Sequence, residues 1–139
     1  MNMSTYCEKL LSAFVLGLFS LSVLAAELPD WWPEDLTVPS TATLTKVDEA
    51  KEKGLPEVEF SVPIAGTTAE ALIDASATEL EGKGWTIDQR RQRSTSDSVT
   101  ATRRDIDKRV IVTAWKPGTI FNKQKDAFRL EVKVYRSVP

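Results

Sequence analysis

Histidine is absent from the 139-residue chain, and cysteine occurs once, at Cys7. Without histidine no Ser–His or Cys–His pair can activate a nucleophile, and the usual zinc ligand set is missing. Glycine is sparse, at six residues, and none falls in a dinucleotide fingerprint or a phosphate-cradling loop. Charge of one sign is lacking too. Eighteen Lys and Arg stand against twenty Asp and Glu, a formal net charge of −2. A nonspecific nucleic-acid binder would carry a strong basic excess, so no nucleic-acid partner is expected. No catalytic residue set, cofactor site or metal site emerges from these counts. Asp105-Ile106-Asp107 offers two oxygen ligands but lacks the further ligands and turn glycine of a calcium loop.

Long apolar runs are missing with one exception. Lys9 precedes the stretch Leu10 to Leu24, and Ala25 and Ala26 follow. A charged start, a short apolar run and small residues make a secretory signal peptide, expected to span residues 1–25. Ser12, Gly17, Ser20 and Ser22 dilute the run, which falls short of the roughly 20 apolar residues that a spanning helix requires. Cys7 lies before the run and cannot become an acylated first residue. The expected mature protein is therefore periplasmic or secreted, with no transmembrane span after cleavage and no disulfide. What remains, roughly 110 residues, suffices for one hydrophobic core and not for two.

Residues 26–40 read as a Pro/Trp-rich N-terminal arm, because Pro29, Pro33 and Pro39 punctuate it and remove ladder donors. Residues 41–139 read as a single α+β domain. The clearest stretch is strand–helix–strand. Val58, Phe60, Val62 and Ile64 alternate with polar neighbours, the period of a half-buried strand. Thr67-Thr68-Ala69-Glu70 looks like a capping box with Thr67 as N-cap. Ala69, Leu72, Ile73, Ser76, Ala77 and Leu80 recur at helical spacing, which predicts Ile73 over Phe60 or Leu130. Gly82 and Gly84 end the helix, and Trp85 opens the next strand. Ser94 to Ser98 reads as a hairpin tip, Val99–Thr102 as a short return strand, and Val110–Trp115 as a central strand. Phe128, Leu130, Val132 and Val134 alternate with charged residues in the last strand. The expected architecture is a two-layer sandwich, one helix on a mainly antiparallel four- to five-stranded sheet (β-α-β-β-β), with a weak Thr-rich strand at Ala42–Lys46 in front.

Three groups of residues are candidates for partner binding. Trp31 and Trp32 are adjacent, and such aromatic area serves either as a flap over the core or as an interface anchor. Arg90, Arg91, Arg93, Arg103 and Arg104 form a basic group whose forked guanidinium ions suit anions. Alternation along strands sends neighbouring arginines to opposite faces, so a protective edge role competes with a binding one. Ile120 and Phe121 are two large apolar residues in a loop, and either fold back on the core or dock to a partner or membrane surface. The expected function is a non-catalytic domain that binds a protein partner or an anionic envelope polymer. A small carboxylate-dependent hydrolase or lyase, or a structural accessory subunit of an envelope assembly, are the alternatives.

Overall fold

The computed structural model describes residues 27–50 and 55–135, and the expected signal peptide lies outside them, as does most of the charged turn before Leu55. Six strands form one sheet: β1 (Thr43–Asp48), β2 (Glu57–Pro63), β3 (Thr86–Gln92), β4 (Ser96–Arg103), β5 (Lys108–Trp115) and β6 (Ala127–Tyr135). One helix, α1 (Ala69–Gly82), separates β2 from β3. The sheet order is β1-β2-β6-β5-β4-β3, and every neighbouring pair is antiparallel.

The α+β class agrees with the sequence pattern, but the sheet has six strands rather than four to five. The weak Thr-rich strand expected at Ala42–Lys46 is β1, an edge strand none of whose residues is buried, so it carries almost no hydrophobic signal. β4 also starts earlier than expected. Ser96 and Asp97 lie in the strand and are buried, which shortens the hairpin tip to 93–95. Polarity suggested a loop there, and pairing with β5 overrides it. Edge strands β1 and β3 both carry a register shift, at Leu44/Lys46 and Ile87/Gln89. Such bulges discourage further strands from adding.

The cap of α1 is Thr68, not Thr67. The Thr68 hydroxyl accepts from the Ala71 N–H at 3.0 Å. Thr67 belongs to the preceding turn, where its N–H bonds the Ile64 carbonyl and Gly66 takes a φ of +78°. The shift removes Glu70 from the position from which it could reciprocate. At the other end Trp85 N–H bonds Leu80 O and Gly84 N–H bonds Glu81 O. With Gly84 at φ +92°, these bonds make a Schellman closure.

The helix packs chiefly against β3, β4 and β5. Ile73, in the middle of the helix, is fully buried, and Phe60 and Leu130 on the sheet are buried too. The other half of the core is closed by the arm. Trp32 meets Phe60 edge to face, with ring centroids 5.7 Å apart, and its indole N–H donates to Leu36 O at 3.0 Å. Leu36 is buried beside it. Polar contacts tie the arm down: Asp35 accepts from the Trp85 indole and from Arg103, each at 2.9 Å, and Thr37 N–H donates to Glu79. Residues from Trp31 onward form one compact unit.

Candidate functional site

Among the described residues the second face of the sheet carries no helix, and a loop from the β5–β6 connection rises at one of its ends. Trp115 closes β5, and Lys116 N–H continues the ladder to Thr95 O of the β3–β4 turn at 2.9 Å. Gly118, at φ +74°, lets the chain turn back so that its N–H reaches Gln124 O at 2.8 Å. Thr119 and Asn122 then exchange both backbone hydrogen bonds, at 3.0 and 3.1 Å. Ile120 and Phe121 are thus the two central residues of a tight hairpin turn. Gly, Asn and Asp are common at such positions, but neither residue here takes a positive φ, so the backbone does not demand them.

The turn is held from beneath by Asn122, which is 3% exposed. Its amide donates to Trp115 O at 3.0 Å and to Ala127 O at 2.9 Å, joining the last residue of β5 to the first of β6. Its carbonyl accepts from Gln124. Gln124 in turn accepts from the Ser61 hydroxyl of β2 at 2.7 Å. Ile120 stands out at 83% exposure, while Phe121, 45% exposed, rests on Trp115 with centroids 4.7 Å apart. Lys116, Lys123 and Lys125 flank the tip, with Asp126 the single acid of the loop. Lys116 also bonds the Arg93 carbonyl at 3.2 Å, which brings the β3–β4 turn alongside.

Beneath the tip lies a packed polar surface. The Arg129 guanidinium lies over the Trp115 ring at 5.6 Å. The Trp115 indole N–H and the Arg129 Nε–H are both buried without an acceptor. Farther along, carboxylate oxygens of Glu57, Glu59 and Glu131 lie within 4.8 Å of one another. Glu59 and Glu131 are directly opposed across β2 and β6. Three carboxylates so close could bind a divalent cation, but each already faces a protein cation. Lys46 meets Glu57 at 2.9 Å, and Arg129 meets Glu131 at 2.7 Å and Glu59 at 3.6 Å. Lys133 meets Glu131 at 3.5 Å. Glu57 holds the Lys46 amine above its usual pKa. Three acids and three bases balance, the arrangement of an ion-pair lattice.

The remaining sequence candidates are dispersed. Trp32 faces Phe60 on the helix side, while the Trp31 indole donates to Glu49 at 2.6 Å. Arg90 points to the helix side and donates to Asp74 at 2.9 Å and to Ser98 O. Arg91 and Arg93 are exposed, and of the five arginines only Arg93 sits beside the Ile120 loop. Arg103 and Arg104 lie at the opposite end of β4. There Arg103 is committed to Asp35 and Asp105, at 2.9 and 3.0 Å, and Asp105 holds its guanidinium above the usual pKa. Arg104 opens the one-turn helix before β5. Asn122, Trp115, Arg129 and Glu131 went unnoticed in the sequence. Their roles depend on register and loop closure, and only the oddity of Ile-Phe after Pro117-Gly118 marked the region.

Comparisons with protein families, with curated proteins and with solved structures found no match. Residue geometry alone therefore bears on function.

Proposed function

We propose that this chain is a non-catalytic binding module, exported by its first 25 residues, that engages an envelope partner through the Ile120–Phe121 turn. One observation carries the reading. A two-residue hairpin turn, braced by a buried asparagine, holds Ile120 83% in solvent beside a Phe121 that is 45% exposed. Nothing in turn chemistry favours isoleucine and phenylalanine there. A rigidly presented apolar anchor suits recognition, because little side-chain and loop entropy remains to be lost on contact. Arg93 and the loop lysines supply a rim with affinity for acidic groups. The arm from Trp31 to Ser40 serves on this reading as part of the fold rather than as a second contact.

The test compares the wild-type protein with Ile120→Asp as bait against an envelope extract. Ile120 is exposed, so the variant should keep its melting temperature and lose its captured component by about tenfold or more, as expected of a central anchor. Equal capture by both baits sinks the reading.

A second reading keeps the carboxylate hydrolase, favoured by the proximity of Glu57, Glu59 and Glu131. It requires that Glu59→Gln or Glu131→Gln abolish hydrolysis of some glycan or ester substrate while leaving the fold intact. The ion pairs on all three acids and their place on a sheet face, not in a cleft, weigh against it.

A further inference from the structure

We infer that the surface met by the Ile120–Phe121 turn is an anionic lipid bilayer, with the turn entering the headgroup layer and the lysines around it resting on phosphates. The inference rests on the binding-module reading and narrows its partner. The chemistry of the loop is that of a peripheral membrane contact. Its tip is apolar and narrow, two residues wide, too small for the well-packed interface that a stable protein complex requires. Lys116, Lys123 and Lys125 lie within five residues of the tip on either side, against Asp126 alone, and such basic residues are drawn to anionic leaflets.

The ring beneath the tip fits the same surface. Trp115 carries a buried indole N–H with no hydrogen-bond partner, under an Arg129 guanidinium that is ion-paired with Glu59 and Glu131. Phe121 lies on the Trp115 ring. If the turn enters the headgroups and Phe121 moves outward, the indole N–H gains access to phosphate and carbonyl oxygens. Tryptophan and arginine are suited to that boundary, each having an apolar body and a polar end. Among the described residues no helix is long and apolar enough to cross a membrane, so the contact would be peripheral and reversible, as a single shallow anchor is.

The experiment is sedimentation of the full chain with phosphatidylcholine vesicles, with and without phosphatidylglycerol. Every variant keeps the same residues 1–30, so any contribution of the apolar run cancels in the ratios. The wild type should partition about tenfold more to anionic than to neutral vesicles, less so in high salt. Ile120→Asp should lose most of that binding, and Lys123→Glu with Lys125→Glu should lose the preference for phosphatidylglycerol. Equal binding by wild type and Ile120→Asp, or no preference for the anionic lipid, overturns the inference. If vesicles are not bound but envelope capture still depends on Ile120, the partner is a protein and the module reading stands alone. If Ile120→Asp changes neither vesicle binding nor capture, both fall.

Discussion

Single residues separate what closes the core from what faces outward. Ile73 sits fully buried at the middle of α1, and Ile73→Ala should lower stability by about 2–5 kcal/mol in urea melts, through lost burial and the cavity left behind. Asp74, the next residue, pairs with Arg90 while largely exposed. Asp74→Ala should therefore cost no more than about 1 kcal/mol, as exposed ion pairs do. Asp35 is a different case. The Trp85 indole N–H holds its carboxyl below the usual carboxylate range, with Arg103 assisting and burial opposing. Because the folded-state pKa lies below the unfolded one, this contact stabilises fully above about pH 4. It fades as pH falls through the folded value. Asp35→Asn should thus melt below wild type at neutral pH, with the gap closing as pH falls below the ordinary carboxylate value of about 4. A gap that stays constant across that range would mean that the charge of Asp35 contributes nothing.

At the scale of elements, the arm takes the place of a second helix. α1 packs chiefly on β3 to β5, and Trp32 and Leu36 help roof β2. Trp32→Ala should cost about 3 kcal/mol, near the low end for an aromatic deletion because the ring is partly exposed. The β5–β6 loop depends on Asn122 in the same way. Asn122→Ala leaves the Trp115 and Ala127 carbonyls without their donor. It should cost about 1–3 kcal/mol and speed amide exchange at Gly118 and Thr119, whose N–H groups close the loop. These two elements also mark where sequence patterns stop informing. Val58–Val62, Ile73–Leu80 and Phe128–Val134 were legible because their period is that of the structure they form. β1 was faint because an edge strand paired on one side buries no residue. The hairpin turn at Ile120 was illegible as a turn, since its residues contradict turn preferences. That contradiction is what makes it a candidate site.

At the scale of the whole molecule, the two faces of the sheet are stabilised by different physics. The helix side is apolar and doubly roofed, while the open side is a lattice of charges reaching from Lys46 on β1 through Glu57 and Glu59 to Arg129, Glu131 and Lys133 on β6. Alternation in the sequence showed that this face was charged. It could not show that Glu59 opposes Glu131, because that pairing is set by the β2–β6 register. Arg129 is the only cation touching two of the three acids. Arg129→Ala should leave the cluster one charge short and destabilise the fold by about 1–3 kcal/mol, less than a fully buried pair because the guanidinium is partly in water. Adding Glu59→Gln to Arg129→Ala should recover much of the loss, since the remaining Glu57 and Glu131 still meet Lys46 and Lys133. The same bookkeeping distinguishes the lattice from a cation site. Calcium should leave the melting temperature of the wild type unchanged, because its carboxylates are already neutralised, and should raise that of Arg129→Ala by supplying the missing charge. A wild-type protein stabilised by calcium as strongly as the variant would show instead that Glu57, Glu59 and Glu131 prefer a metal ion to Arg129.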